Sequence, residues 1–246
     1  MRGNSAGDNM MLPTSLRRPD LVYDLRRFAG TLPEAHRDLR KRVRQWIDAH
    51  SIATDLRLAL DSVELAIRLN KTGRASLDLA VMSLMQSAVM AYSRALERHS
   101  EHRGTVAIKG RFTVEQAQFH ARLGEIRDES LAHFGPAGTA LPWSEDHALL
   151  LQSGIHWQPV ISSRRSLFDA KFCALFLDHL RKTESMVMDD VAKRRDAFQA
   201  MFDDRLSNDD VARTLEASTL SEDEIRRFQP VFDTPREGRH KITSLD

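Results

Sequence analysis

Three residues near the middle of the chain have side chains suited to cleaving a phosphodiester bond. Arg127, Asp128 and His133 stand in the segment Arg-Asp-Glu-Ser-Leu-Ala-His. A guanidinium grips phosphate oxygens with a planar pair of donors and stays charged near neutral pH. An imidazole exchanges a proton near neutral pH, and a carboxylate can orient either partner. Together they predict a metal-free site in which a base takes the proton of a ribose 2′-hydroxyl while a cation stabilises the charged phosphorus.

The spacing of Arg127 and His133 sets a condition on the helix that carries them. Six positions along a straight α-helix rotate a side chain by about 600°, so the two would lie roughly 120° apart. They converge only if the helix ends between them or if both border one cleft. The Gly135-Pro136 pair favours an early end. A salt-bridged helix end without catalysis is the alternative interpretation.

Five further residues are candidates for contacting RNA around this motif. They are Tyr92, Arg94, His120, Arg40 and Arg44. Arg40 and Arg44 belong to a basic run that would contact backbone phosphates. Each candidate also has a plainer interpretation, since Tyr92 is in phase with a core stripe and a basic run is often a solvated helix face.

The usual signatures of metal and cofactor chemistry are missing from the sequence. It has no glycine-rich phosphate loop, no paired-cysteine pattern, no His-Glu-x-x-His and no serine nucleophile elbow. His99 and His102 form a weak metal candidate, because no second pair of ligands stands nearby. The single cysteine, Cys173, forms no internal disulfide. We therefore expect no metal, no cofactor and a reducing, cytoplasmic location.

Composition and charge limit the classes of function. The 246 residues include 36 basic and 35 acidic side chains, for a formal charge of +1. This excludes broad coating of nucleic acid by positive charge, although it leaves room for a local site. Residues 1–50 carry ten basic and six acidic residues, whereas residues 201–246 carry seven and eleven. The uncharged stretch Leu79–Ser93 is shorter than the about twenty apolar residues of a membrane span, so no membrane association is expected.

Hydrophobic periodicity and capping residues predict an all-α bundle of four to five long helices. The predicted long helices are Glu34–His50, Thr54–Asn70, Ser76–His99, Thr113–Phe134 and Ser166–Leu206, and two short C-terminal ones are Ser207–Ala217 and Ser221–Phe228. A short hairpin is predicted where the runs His147–Gln152 and Ile155–Ile161 flank Ser153-Gly154.

Three segments follow from this pattern. We expect a poorly ordered segment over residues 1–33, a helical domain over 34–188 and a helical extension with a polar tail over 189–246. The last long helix has fewer apolar residues beyond Met188, so this part is expected to project or to pair with a partner.

The motif Arg127-Asp128-x4-His133 resembles that of the HEPN-domain family, which has an Arg, then Asn, Asp or His, and a His six positions after the Arg. The preceding long helix and charged connection are similar in order, and the resemblance covers about residues 54–185. It implies a helical bundle that dimerises with the two motifs facing each other across the interface. It also implies metal-independent RNA cleavage that leaves a cyclic phosphate. By this resemblance Arg127 and His133 are catalytic and Asp128 positions them.

The leading hypothesis is therefore a HEPN-type endoribonuclease that acts as a homodimer on RNA. The resemblance implies a role in phage defence or in a toxin system, with an antitoxin or another partner protein. Some HEPN proteins are non-catalytic, so the alternative is a module that binds a nucleotide, an RNA or a partner protein. A DNA-binding regulator built on the short C-terminal helices is a third hypothesis, which the acidic balance of residues 201–246 disfavours.

Overall fold

The computed structural model describes residues 21–96, 103–128, 145–153, 156–164 and 169–233. The α-helices in these ranges are α1 Leu25–Thr31, α2 Arg37–Asn70, α3 Asp78–Leu96, α4 Val114–Ile126, α5 Ala170–Arg205, α6 Asp209–Glu216 and α7 Glu222–Asp233. Two antiparallel strands, β1 Glu145–Ser153 and β2 His156–Arg164, form the sheet of the described residues. The predicted all-α class, with one short hairpin and short C-terminal helices, is confirmed.

Helix α2 is one continuous element where the sequence predicted two. Thr54 Oγ1 donates to the His50 carbonyl at 3.0 Å, a bond made within a helix and not at its cap. Ile52 and Leu56 are 1% and 0% exposed. The predicted break between these residues is wrong because core burial holds the helix together across its polar positions.

Helix α4 begins as the sequence predicted. Thr113 Oγ1 accepts from the Gln116 N–H at 3.2 Å, and Gln116 Oε1 accepts from the Thr113 N–H at 3.0 Å, which completes a capping box. The regular α-helix ends at Ile126. The rest of the predicted helix, to Phe134, lies beyond the described residues apart from Arg127 and Asp128.

The described residues form two compact units. One spans Arg42–Met201, and the other joins the described parts of Met1–Lys41 and Phe202–Asp246. These limits differ from the predicted boundaries after residues 33 and 188. The core of the first unit comes from α2, α3, α4 and α5.

Side-chain contacts set the relative directions of the three helices that carry most of the candidate site. The contacts are Met85–Cys173, Tyr92–Phe176, Phe119–Phe172 and Arg111–Met186. Positions in α3 rise together with positions in α5, so these two helices run in the same direction. Positions rise from Arg111, three residues before α4, to Phe119 in α4 as they fall from Met186 to Phe172 in α5. Helix α4 is therefore antiparallel to both α3 and α5, the arrangement of neighbouring helices in an up-and-down bundle.

The part of α5 beyond Met188 packs within its own unit. Phe198 is 6% exposed and stacks on Trp46 with ring centroids 5.5 Å apart. Arg194 donates to the carbonyls of Gln45 and Thr105, both at 3.0 Å. The prediction that this stretch projects or pairs with a partner is therefore wrong up to Phe198, because its few apolar residues fall on the face that meets α2.

The second unit contains structure that the sequence did not predict. Asp24 caps α1 by accepting the Arg26 N–H at 2.8 Å, and Phe28 is fully buried against Phe202. Arg27 also pairs with Glu224 of α7 at 2.8 Å. Of the segment predicted to be poorly ordered, residues 21–33 contain a capped helix whose apolar side chains are buried against C-terminal helices. Residues 1–20 lie outside the described ranges.

The hairpin is confirmed with a two-residue connection between its strands. Leu149 pairs with Val160, and Ser153 pairs with His156 at the end of the strands. The connecting residues, 154 and 155, lie outside the described ranges. Leu150 and Leu151 are 61% and 51% exposed, so adjacent apolar side chains on this strand reach solvent.

One helix in the described part of the chain is long and apolar enough to cross a membrane. This stretch, Ala75–Leu96, has a mean hydropathy of 1.2 over its best window. Core helices of bundles meet the same criterion, and Val81, Met85 and Tyr92 from this helix are buried in its unit. We therefore assign no membrane span to the described residues.

Candidate functional site

The predicted catalytic arginine stands at the C-terminal end of α4. Leu123 and Ile126 in the last turn are fully buried, so they lock this end of the helix into the core. Arg127 keeps helical backbone angles, and its N–H donates to the carbonyls of Leu123 and Gly124. Its side chain is 19% exposed. The guanidinium therefore lies at the boundary between core and solvent.

Asp128 holds this guanidinium by two hydrogen bonds. Arg127 Nε donates to Asp128 Oδ1 at 2.7 Å, and Nη2 donates to Oδ2 at 2.8 Å. Such a two-point contact between a guanidinium and a carboxylate restricts the plane of the guanidinium. The Asp128 side chain is 57% exposed, so the pair reaches solvent. The orientation of this mostly buried guanidinium is therefore set by its neighbour.

The predicted base, His133, lies outside the described residues. Its convergence with Arg127 therefore stays a prediction. The regular α-helix ends at Ile126, so the angle of about 120° calculated for a straight helix does not apply beyond that point. Arg127 and Asp128 continue the chain in a wider, π-helical turn, which changes the rotation per residue beyond Ile126.

A hydrogen-bonded triad of Tyr92, His120 and His179 lies in the core of the same unit. Tyr92 Oη is 2.7 Å from His120 Nδ1 and 2.7 Å from His179 Nε2. A phenol has one hydrogen to donate, so it donates to one imidazole and accepts from the N–H of the other. His120 precedes Arg127 by seven residues, which places both on the same face of α4.

Burial and aromatic packing determine the charge state of the triad. The rings of Phe112 and Phe119 lie 5.5 and 5.2 Å from that of His179. Burial, with smaller effects of nearby charges, lowers the pKa of His120 and that of His179 to about 4. Both imidazoles are therefore neutral at pH 7, which matches a structural hydrogen-bond network better than an electrostatic contact with RNA.

The triad corrects one of the predicted RNA contacts. Tyr92 is 0% exposed, so its side chain packs in the core and does not present a face for a base to stack on. His120 is half-buried with its Nδ1 engaged by Tyr92. The plainer interpretation of Tyr92, packing in phase with the core stripe, is the one that the structure supports.

The pKa values of the two histidines predict a pH dependence of stability. The unfolded chain, with histidine pKa values near 6.5, binds more protons than the folded chain between pH 6.5 and about 4. Acidification across this window therefore destabilises the fold, by up to about 1.4 kcal/mol per pH unit for the buried His179 and by less for the half-buried His120, where solvent screens the effect. Urea unfolding at pH 7 and pH 5 measures this loss. It should be smaller in His179→Gln, whereas His50→Gln, at an exposed position, should behave as wild type.

The three arginines predicted to contact RNA lie in three different settings. Arg94 forms two hydrogen bonds with Asp55, through Nε at 3.0 Å and Nη2 at 2.5 Å. Arg40 bonds to Glu34 at 3.2 Å and to the Leu32 carbonyl, so it ties down the chain before α2. Arg44 is exposed on α2. The structure thus groups Tyr92 with His120 and places Arg94 on a separate cluster.

Two members of these clusters, His179 and Asp55, were not predicted from the sequence. His179 lies among apolar residues of α5 such as Phe176 and Leu180, and a histidine in phase with these core positions was the available signal. Asp55 is 7% exposed although charged, and Arg103 joins it at 2.7 Å. Neither partnership has a local sequence pattern, because the residues are separated by 39 or more positions.

Comparison with protein families, with curated proteins and with solved structures finds no significant match to this chain. The resemblance to HEPN domains therefore rests on the residues of the motif. Among the described residues, no group of three or more His, Cys, Asp or Glu side chains is arranged to hold a metal ion. His99 and His102, the weak metal candidates, lie outside the described ranges.

Proposed function

We propose that the protein is a metal-independent endoribonuclease of the HEPN type. The observation that carries this proposal is the two-point pairing of Arg127 with Asp128 at the solvent boundary, directly after a buried helix end. This pairing supports the positioning role that the resemblance implies for the second residue of the motif. The all-α bundle around it is the fold class that the resemblance implies.

The proposed reaction uses the two motif residues in different roles. His133 removes the proton from the 2′-hydroxyl of a ribose, and O2′ attacks the adjacent phosphorus. The bond from phosphorus to the 5′-oxygen of the next nucleotide breaks and that oxygen takes a proton from water. His133 then returns the proton it gained to the resulting hydroxide. Arg127 stabilises the extra negative charge on the phosphorane oxygens. The products are a 2′,3′-cyclic phosphate and a 5′-hydroxyl, so the charges and protons balance without a metal ion.

The direct test is incubation of the purified chain with single-stranded RNA in excess EDTA. We expect cleavage products that carry 2′,3′-cyclic phosphates, identified by mass spectrometry. RNA that stays intact at high protein concentration, in the presence of a cell extract that could supply an activator, would contradict the proposal. The alternative of a non-catalytic binding module would then be favoured if the same RNA is bound.

The role of Asp128 gives a sharper prediction. Asp128→Asn keeps the size of the side chain but replaces one carboxylate oxygen with an amide, so it holds the Arg127 guanidinium less firmly. We expect cleavage to fall by about tenfold to a hundredfold, with thermal stability unchanged because the side chain is exposed. A rate equal to wild type would show that the pair has no positioning role.

The wider setting of the proposed enzyme follows from the same resemblance. We propose a cytoplasmic homodimer whose two motifs form one composite site, in phage defence or in a toxin system with an antitoxin.

Within the described residues, the outer side of α3 supports an interface, since Leu79 and Met90 are 68% and 43% exposed on an uncharged stretch. Light scattering of the purified chain tests the dimer, and a monomer at micromolar concentration would contradict it.

A further inference from the structure

Arg94 and Arg103 converge on one buried carboxylate, that of Asp55. Arg94 donates to both oxygens of Asp55, and Arg103 Nη1 donates to Oδ2 at 2.7 Å. Arg103 Nη2 also donates to the carbonyl of Arg94. Burial alone would raise the pKa of Asp55, but the hydrogen bonds from the two arginines lower it below its usual value. The cluster therefore holds two positive charges and one negative charge.

The segment that carries Arg103 is attached to α2 at a second point. The Gly104 N–H donates to Asp48 Oδ2 at 2.9 Å. A side chain at position 104 would place its Cβ 3.0 Å from the same oxygen, so this close approach favours glycine. Arg103 Nη1 also reaches Ser51 Oγ at 3.4 Å. These contacts fix Arg103 to the surface of α2 and hold its guanidinium beside that of Arg94.

The side chains of Arg94 and Arg103 differ in their exposure to solvent. The side chain of Asp55 is 10% exposed and that of Arg103 18%, whereas that of Arg94 is 57% exposed. Arg94 uses Nε and Nη2 for Asp55, and its Nη1 has no acceptor among the described residues. An anion approaching from solvent would therefore meet an oriented guanidinium with a second positive charge behind it.

We propose that Arg94 and Arg103, oriented by Asp55, form a binding site for a backbone phosphate of the RNA substrate. This inference rests on the proposed function, which makes RNA the ligand. Phosphate recognition by proteins favours arginine for its planar pair of donors, and preorganisation by a buried carboxylate lowers the cost of ordering the side chain.

The proposed phosphate site at Arg94 and Arg103 lies away from the bond that Arg127 and His133 would cleave. Tyr92 and His120 bond to each other, so they lie at one level of the antiparallel helices α3 and α4. Arg94 lies two residues beyond Tyr92 and Arg127 seven residues beyond His120, so the two arginines are separated by about 14 Å along the helix axis. The subsite would therefore hold a nucleotide away from the one that is cut.

Arg44 extends the same surface. Arg44, Asp48, Ser51 and Asp55 recur every three or four residues on α2, so they share one face of that helix. Arg44 is exposed, eleven residues and about 16 Å before Asp55. A single RNA strand lying along this face would meet Arg44 at one end and the arginine pair at the other.

The test is RNA binding by the full chain carrying His133→Ala, which removes the proposed base and prevents cleavage of the probe. Fluorescence anisotropy with a labelled single-stranded RNA dodecamer gives Kd over a range of salt concentrations. We expect Arg94→Ala and Arg103→Ala each to raise Kd about tenfold and to lower the slope of log Kd against log salt by about 0.7 to 1. Arg181→Ala is the matched control, because it removes an equally exposed arginine that pairs with Glu64 in the same unit.

The variant Asp55→Asn distinguishes the effect of guanidinium orientation on RNA binding from the effect of net charge. It adds one positive charge to the protein, so a purely electrostatic surface would bind RNA more tightly. We expect weaker binding, because both guanidiniums lose the carboxylate that orients them. If Asp55→Asn fails to fold, Arg94→Lys tests the same point, since it keeps the charge and should still raise Kd severalfold.

The outcomes distinguish this site from the proposed activity. Equal Kd values for Arg94→Ala, Arg103→Ala and Arg181→Ala would overturn the subsite, even if the wild-type chain cleaves RNA. Arginine-dependent binding by a wild-type chain that never cleaves RNA would support the subsite and overturn the ribonuclease. Absence of RNA binding at low salt would overturn the subsite directly.

Discussion

Arg127→Ala should reduce RNA cleavage at least about 100-fold to 1,000-fold. The physical reason is that a preoriented cation stabilises charge that develops only in the transition state, and losing one such donor costs this much in comparable sites. His133→Ala should show a loss of similar or greater size, because without a general base the 2′-hydroxyl is a poor nucleophile. Initial rates on a labelled RNA in EDTA, for wild type and both variants, measure the effect.

Two controls separate a catalytic role of Arg127 from a structural one. Arg122→Ala removes an exposed arginine of the same helix and should cleave RNA at the wild-type rate. Arg127→Lys keeps the positive charge without the planar pair of donors, so it should recover only part of the activity. The melting temperature of Arg127→Ala should stay within a few degrees of wild type. If cleavage persists in Arg127→Ala, the motif is a salt-bridged helix end and the ribonuclease hypothesis fails.

Local interactions explain what could be predicted from the sequence. The capping box of Thr113 and Gln116 is made by residues three positions apart, so the start of α4 is visible in the sequence itself. The Arg127-Asp128 pair is equally local, and its positioning geometry follows from adjacency. The two strands of the hairpin were also predictable, because their turn signal and apolar runs are contiguous.

Long-range partnerships explain what could not be predicted. Asp55 is held by arginines 39 and 48 positions away, and neither pairing leaves a periodic trace in the sequence. The continuity of α2 also depends on long-range packing, because Ile52 and Leu56 are buried by other helices. Thr54 has the residue type of a helix cap, but its hydroxyl donates to a carbonyl within the helix. Tertiary packing overrides local propensity at such positions, and only the packed structure shows it.

Tyr92→Phe should cause a large loss of stability for the removal of a single atom. The substitution keeps the ring and removes Oη, so both His120 Nδ1 and His179 Nε2 lose their partner. His179 is 3% exposed, and its Nδ1 already lacks a hydrogen-bond partner among the described residues. A buried polar group left unpaired costs roughly 1–3 kcal/mol. We expect the free energy of unfolding to fall by about 2–4 kcal/mol at pH 7.5, measured by urea unfolding.

Tyr23→Phe is the matched control for this prediction. It removes the same atom from the only other tyrosine, which lies near the start of the second unit and is partly exposed. Its free energy of unfolding should stay within about 0.5 kcal/mol of wild type. The double variant Tyr92→Phe with His179→Phe should be less destabilised than the sum of the two single changes, because removing both partners leaves fewer unpaired groups. A Tyr92→Phe protein as stable as wild type would show that the triad contributes no net stability, and that aromatic packing alone holds α3, α4 and α5 together at this level.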